Sequence, residues 1–475
     1  MNRPAPFVIP SEAAARPRSR GISAALLLLL AVVTTPLAAQ PPDLPLVIDN
    51  GTIHPVSSAP FLGRIVIENG LITAVGPDAP LPAGTAGEDY QLIDATDLHV
   101  YPGMIDALSQ VGLVEVNAVP ATDDQAEMGI YNPHLQALTA LHPASEVIPV
   151  TRSNGITHAV IAPQVDGDGV IAGQAALVNL AGWTAEEMAI DPSIAMVIQW
   201  PAIQTRRFDF STFSMVEIPY NEAKEKAETR QNELRDWLDA ARHYKQAMEA
   251  GSDRLEPNLE LEALAECLDG GKKVIILAQN KRDIEAAVAF AEEQGLDMIL
   301  AGGRDAWEVA ELLAEKEIPV ILGNTQSLPA EEDDPYDRPF QNAGKLVEAG
   351  VKIAFASGAG GGFGPGGPHS SRTTMYEAGM AAAYGLSADD ALRGMTVWPA
   401  EMLGVSNSLG SIEIGKLANL VVAGGDPVAI ETSMERLVIA GREVATENRH
   451  RDLYKTYRDR PQDERQAESE EAPTS

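Results

Sequence analysis

The sequence predicts an α/β protein: a (β/α)8 TIM-like barrel with a small β-sandwich domain formed from both chain ends. Two observations lead to this prediction. Short apolar runs alternate with amphipathic helical patterns through the middle of the 475-residue chain, which is typical of βα units around a parallel sheet. Glycine-punctuated β-rich runs occur in residues 44–76 and 410–444, and they flank all the rest. The length suffices for more than one domain.

The predicted composite β-sandwich comprises residues 44–99 and 406–446, and the predicted barrel comprises residues 100–405. Residues 447–475 are charged and poor in apolar side chains, which predicts a disordered tail. Besides 100–107, the runs predicted as buried barrel strands are 156–162, 195–200, 273–278, 297–301, 318–323 and 352–357. These make seven strands where a closed barrel needs about eight. The missing unit is expected near the fourth strand.

The amino terminus has the pattern of an export signal. Arg16, Arg18 and Arg20 precede an apolar run at 24–33, and small residues follow before Gln40. We therefore predict a signal peptide over residues 1–39 and a secreted, periplasmic mature chain without membrane contact. An uncleaved anchor is the alternative.

Composition excludes several partners and sites. The formal net charge of −33 argues against nucleic acid and anionic membrane surfaces. Cys267 is the only cysteine, so neither an intramolecular disulfide nor a cysteine-rich metal site can form. A charged helical pattern over 221–250 carries apolar residues at helical spacing, which predicts a helix packed on the outside of the barrel.

Residues 100–110 read V-Y-P-G-M-I-D-A-L-S-Q, which closely resembles the first barrel strand of the amidohydrolase superfamily, P-G-[apolar]-I-D-x-H-x-H. Leu108 and Gln110 stand where the family has its two histidines. Residues 410–427 resemble the family segment at which the sandwich resumes, with Asn419 in place of the usual Asp. The resemblance covers residues 44–444 and is greatest to exported, imidazolonepropionase-like members.

The resemblance implies metal ligands at the carboxyl ends of the strands: His-x-His, a bridging Lys or Glu, two further His and a final Asp. It places Leu277 and Gly302 at the two later histidines and Gly358 at the final Asp. With Leu108 and Gln110, every ligand position that can be placed lacks its donor, because Leu and Gly offer no ligand atom and Gln is a poor one for zinc. We therefore predict no metal site and no cofactor; the fourth-strand ligand stays unassigned.

Other side chains could line the barrel mouth. His134 follows the first strand, His369 follows the last, and Asp305 follows the sixth, so these three are the catalytic candidates. The alternative for each histidine is a loop residue without chemistry. Asp106 is interpreted as structural, and the glycine run 358–367 as a mobile lid rather than a phosphate loop. The candidate substrate-pocket residues are Gln110, Gln279, Asn280, Arg304, Asn324 and Ser357.

The sequence is compatible with two functions. The first is an exported amidohydrolase-family protein whose metal site is lost: a non-catalytic or atypical member that binds or scaffolds, as a homo-oligomer or in an assembly with a related amidohydrolase. The alternative is an active, zinc-dependent hydrolase of non-peptide carbon–nitrogen bonds, such as those of cyclic amides. That alternative needs a site rebuilt from His134, His369 or Asp305. Either protein would take a small amide as its ligand.

Overall fold

The computed structural model describes residues 44–209, 214–251, 255–329, 334–359 and 367–460. The predicted signal peptide, residues 360–366 of the glycine run and residues 461–475 of the predicted tail lie outside this set. The strands are β1 Leu46–Ile53, β2 Phe61–Glu68, β3 Leu71–Gly76, β4 Gln91–Asp94, β5 His99–Pro102, β6 Met104–Ser109, β7 Ile156–Ile161, β8 Ile171–Asn179, β9 Ala189–Gln199, β10 Arg206–Asp209, β11 Ser214–Glu217, β12 Lys273–Ala278, β13 Asp297–Gly302, β14 Val320–Leu322, β15 Ile353–Phe355, β16 Leu420–Ala423, β17 Met434–Ile439 and β18 Arg442–Val444. The α-helices are α1 Val147–Arg152, α2 Ala185–Met188, α3 Tyr220–Glu249, α4 Leu259–Ala265, α5 Lys281–Gln294, α6 Ala310–Glu315, α7 Arg338–Glu348, α8 Thr374–Ala383, α9 Ala388–Met395, α10 Val397–Met402 and α11 Arg449–Arg458. Within the described ranges, no helix combines the length and apolarity needed to cross a membrane.

The barrel is confirmed as a nearly closed sheet of eight strands in the order β15-β14-β13-β12-β9-β8-β7-β6. The barrel strand that the sequence did not reveal is β8. In chain order it is the third strand of the barrel, whereas the missing strand was expected near the fourth position. It runs antiparallel to both neighbours, β7 and β9, while the other neighbouring pairs are parallel. All nine residues of β8 are buried, so the segment shows no alternation, and no helix precedes it to mark a βα unit.

Two contacts close the barrel between its first and last strands. The Gly358 N–H donates to the carbonyl of Leu108 at 2.8 Å, just beyond the end of β15. The Asp106 carboxylate of β6 accepts from the Ser357 N–H at 2.9 Å. Apolar side chains fill the barrel interior, and they include Ile105, Ala107, Val160, Val197, Ile275, Ile299, Ile321 and Ala354. The interior is therefore a packed apolar core.

Both chain ends form a second sheet domain, as predicted. Its strands run in the order β18-β17-β16-β5-β1-β2-β3, and β4 also pairs with β1. The domain is one sheet rather than the two of a sandwich. Ile65 of β2 and Val438 of β17 are far apart in the strand order but share one core, so the sheet must curve around it.

The boundary between the domains lies at Gly103, a few residues later than predicted. His99–Pro102 pairs with β1 and β16 of the sheet domain, whereas Met104–Ser109 belongs to the barrel. A side chain at Gly103 would run into Thr157 of the neighbouring barrel strand. Glycine therefore allows the chain to pass directly from one sheet to the other.

Of two helices outside the barrel units, one was predicted from the sequence and the other was not. The long charged helix is confirmed as α3, which buries Leu234, Leu238 and Ala241 and leaves most of its surface exposed. The disordered tail predicted from residue 447 is wrong for its first part, because Arg449–Arg458 is helical. Asn448 caps this helix by accepting from the Arg451 N–H at 3.1 Å, although none of the helical residues is buried.

A buried polar junction links β7 to the sheet domain. His158 is 1% exposed; its Nδ1 lies 2.7 Å from Thr157 Oγ1, and its Nε2 contacts the Asn419 amide. Asn419 Nδ2 also donates to Asn179 Oδ1 at 2.6 Å, and its Oδ1 accepts from the Ala440 N–H. Burial lowers the pKa of His158 to about 4, so the imidazole is neutral near pH 7.

Candidate functional site at the barrel mouth

Four buried polar side chains meet where the first and last barrel strands end: Asp106, Ser109, Ser357 and Ser371, hereafter the seam cluster. Asp106 Oδ2 accepts from Ser357 Oγ at 2.6 Å and from Ser371 Oγ at 2.7 Å. Ser109 Oγ lies 2.6 Å from Ser371 Oγ and 3.1 Å from Ser357 Oγ. Every hydroxyl of the cluster thus bonds within it, which is what burial of polar groups requires.

The seam cluster fixes both ends of the glycine run with one carboxylate. Ser357 immediately precedes the run and Ser371 follows it, and both hydroxyls donate to the same oxygen of Asp106. Burial raises the pKa of Asp106, and hydrogen bonds from Ser357, Ser371 and Ser109 oppose that rise. Asp106 is therefore structural, as the sequence suggested. Ser357, predicted to line a substrate pocket, is instead 3% exposed and committed to Asp106.

Two of the five implied ligand positions hold leucines that extend the apolar interior. Leu108 is 1% exposed and belongs to the barrel-interior cluster, and Leu277 packs against that cluster. These side chains occupy the strand ends at which the resemblance implies imidazoles. The strand ends are therefore continuous with the hydrophobic core.

The two glycine positions are filled by neighbouring glutamine side chains. A Cβ atom at Gly358 would lie 2.5 Å from Gln110 Nε2, and one at Gly302 would lie 2.7 Å from Gln279 Cδ. Gln279 Nε2 also donates to the carbonyl of Ala359 at 3.3 Å. A side chain at either glycine would therefore require the amide end of a glutamine to move. We call Gln110 and Gln279 the glutamine pair.

The residues at these positions do not fit the metal of the family. None of the five supplies an imidazole or a carboxylate, and the glutamine pair takes up space that such ligands would need. In the part of the chain that the structure describes, no group of three or more His, Cys, Asp or Glu side chains is placed to hold a metal ion.

The remaining predicted pocket residues have local roles. Asn280 caps α5, with its Oδ1 accepting from the Asp283 N–H at 3.0 Å. Arg304 Nε donates to Asp305 Oδ1 at 3.1 Å. Asp305, one of the three catalytic candidates, is therefore paired with its neighbour in the chain. Asn324 is half-buried at the end of β14 and has a φ of 27°.

The three catalytic candidates have different neighbours, so the structure does not join them into one constellation. His134 Nδ1 lies 3.8 Å from Glu260 Oε1, at the first turn of α4. His369 is exposed in the helical turn Pro368–Thr373 and lines a cleft with His450. Sequence reasoning missed Ser371 as a partner of Asp106. The only signal was a pair of serines that follows the glycine run.

Gly302→Ala is expected to lower the free energy of unfolding by about 2–3 kcal/mol, since it combines a clash with a left-handed backbone. Gly350→Ala is the matched control: its φ is 91° against 90° at Gly302, but no atom lies within 4 Å of its Cβ position. It should cost only the backbone strain. Gln279→Ala should recover about 1 kcal/mol in the Gly302→Ala background. Chemical denaturation measures all four proteins, and equal losses at both glycines would show that Gln279 does not fill the space.

Comparisons with known proteins agree with this architecture. The sequence model of the amidohydrolase family matches residues 309–445. The chain is 26% identical over 404 residues to the amidohydrolase tasK of Hapsidospora irregularis, a match that covers 80% of this chain and 40% of that protein. It is 36% identical over 96 residues to the N-substituted formamide deformylase of Arthrobacter pascens, covering 18% and 17% of the two chains. The chain therefore spans less than half the length of either curated relative.

A solved structure gives a match over most of the fold. The crystal structure of an amidohydrolase from Thermotoga maritima MSB8 superimposes with a TM-score of 0.70 at 26% identity, covering 84% of this chain and 99% of that one. The nearly closed barrel and the sheet domain formed from both chain ends agree with this match in fold. The family model, the tasK relative and the Thermotoga maritima structure together support an amidohydrolase superfamily member.

Proposed function

We propose that this chain is a non-catalytic or atypical member of the superfamily that binds or scaffolds rather than hydrolyses. The observation that carries the proposal is the state of the five ligand positions. Two hold core leucines, one holds a glutamine, and two are glycines whose side-chain space is filled by the glutamine pair. Such a site lacks the groups that activate water on a metal.

We propose further that the chain works in an assembly with an amidohydrolase-type polypeptide. The match to the Hapsidospora irregularis amidohydrolase leaves more than half of that protein outside it. The unmatched part of the Hapsidospora irregularis protein is longer than the matched part, so that polypeptide has room for a second unit of this size. The proposed partner is a copy of this chain or a related amidohydrolase. Export to the periplasm is part of the proposal and is supported by the basic and apolar pattern of residues 16–33.

A turnover assay on the purified mature chain tests the proposal. A lactam, a hydantoin and a dipeptide are each incubated with protein that has been supplied with zinc, and with protein treated with a chelator. We expect no turnover above the buffer rate in either arm. Zinc-dependent turnover would contradict the proposal and favour the alternative hydrolase. Parallel variants His134→Gln, His369→Gln and Asp305→Asn would then show which candidate takes part.

A further inference from the structure

A cleft of about 380 Å³ lies apart from the barrel interior, where three distant segments meet. One wall comes from the loop after β6 and from α1, another from the turn Pro368–Thr373, and the third from the start of α11. Its volume falls in the range of small-molecule sites. The helix α11 comes after the last strand of the sheet domain, so the chain returns to the barrel to complete this cleft.

Four basic side chains line the cleft, in contrast to the acidic composition of the whole protein. Arg372, Arg449, His369 and His450 all line it, although Asp and Glu outnumber Lys and Arg by 68 to 35 in the whole chain. Arg372 Nε donates to the carbonyl of His369 at 3.2 Å, which holds the guanidinium against the turn. Two guanidinium groups that line one cleft offer paired N–H donors to a small anion.

Two acidic side chains, Glu115 and Glu146, also line the cleft, and Glu115 is hydrogen-bonded within its own loop. Glu115 Oε2 accepts from Ser145 Oγ at 2.6 Å, and Glu115 Oε1 accepts from the Glu146 N–H at 3.0 Å. These bonds tie its carboxylate to the loop that leads into α1. Glu146 is exposed and also lines a neighbouring cleft with Arg152 and Asp452. The Glu115 carboxylate is thus held in its own loop, and Arg372 and Arg449 are the two cleft-lining guanidinium groups that can meet a ligand.

The wall formed by the loop after β6 and by α1 also carries apolar side chains. Val116, Val147 and Val150 line it, and Val116 is 46% exposed. Valines beside arginines suit a ligand with a charged end and a hydrocarbon part.

We propose that this cleft binds a small carboxylate that carries a short apolar chain. The carboxylate lies between Arg372 and Arg449, and the chain lies on the valines. Planar guanidinium groups suit carboxylates because they donate two parallel hydrogen bonds. The proposal does not depend on whether the barrel mouth is catalytic, since none of the five ligand positions lines the cleft.

The test is calorimetric titration of the full mature chain with hexanoate, propionate, hexanamide and hexylamine. Hexanoate should bind, and hexanamide and hexylamine should bind at least about 10-fold more weakly. Propionate should also bind more weakly, by about three- to fourfold for each methylene it lacks. Arg449→Gln and Arg372→Gln should each weaken hexanoate binding about 10-fold. Arg436→Gln is the control, since this exposed arginine of β17 pairs with Glu443 at 2.9 Å outside the cleft.

Three results would overturn the proposal. The first is absence of hexanoate binding at millimolar concentration. The second is equal binding of hexanamide or hexylamine, which would remove the requirement for a carboxylate. The third is unchanged hexanoate affinity in both cleft variants while their thermal unfolding matches that of the parent protein, which would place the ligand elsewhere.

Discussion

Asp106→Ala is expected to lower the free energy of unfolding by about 3–5 kcal/mol, because it removes the carboxylate that accepts from three buried donors. The donors are the Ser357 N–H, the Ser357 hydroxyl and the Ser371 hydroxyl, at 2.9, 2.6 and 2.7 Å from the carboxylate. The loss should be large because these bonds join the last barrel strand and the following turn to the first strand. Chemical denaturation at pH 7 measures it.

Two variants calibrate this result. Asp106→Asn keeps the size and one acceptor oxygen but turns an amide N–H₂ toward hydroxyl donors, so it should cost about 1–2 kcal/mol. Asp305→Ala removes a carboxylate of the same type that only pairs with exposed Arg304, and it should cost less than about 1 kcal/mol. If Asp106→Ala costs no more than Asp305→Ala, the seam cluster does not hold the barrel closed.

Acidification from pH 7 to pH 4 is expected to remove about 3 kcal/mol of folding stability through His158 alone. Burial lowers the pKa of His158 from 6.5 to about 4 in the folded protein. The unfolded chain therefore takes up a proton between these values while the folded chain does not. The contribution is fully present above pH 6.5 and is lost as the pH falls toward 4.

The variant His158→Gln isolates this contribution from the acidic side chains that titrate in the same range. Its stability deficit relative to the parent should shrink by about 3 kcal/mol between pH 7 and pH 4. His134→Gln is the matched control, because His134 is partly exposed and only approaches Glu260. Its stability should run parallel to that of the parent. A constant deficit for His158→Gln would mean that His158 titrates alike in the folded and unfolded states.

Much of the fold could be predicted from sequence because its signals are local. The Pro-Gly turn before β6 can be recognised from a few consecutive residues, and so can the glycine-punctuated strands near both ends. The antiparallel strand β8 could not be placed, since a segment of nine buried residues has no period that separates it from a parallel strand. The helix α11 was missed because it buries no residue and so shows no apolar face.

The candidate site could be predicted only in part, for a different reason. The residue at each implied ligand position could be read directly from the sequence, because a side-chain type is a property of one residue. The glutamine pair fills its neighbours' space across strands, and that depends on rotamers and on the approach of Gln110 to Gly358 and of Gln279 to Gly302. The seam cluster likewise joins Asp106 to Ser371, which no sequence spacing connects. Tertiary contacts of this kind have no local signature.

Metal analysis of the tag-free mature chain, loaded with zinc and then desalted, tests most directly whether the barrel mouth has lost the metal site of the family. The arrangement of Leu108, Leu277 and the glutamine pair predicts that no stoichiometric zinc remains with the protein. His369→Gln and His450→Gln are measured in parallel to exclude binding at the exposed cleft histidines. One zinc per chain that persists in both variants and is removed only by a chelator would contradict the account.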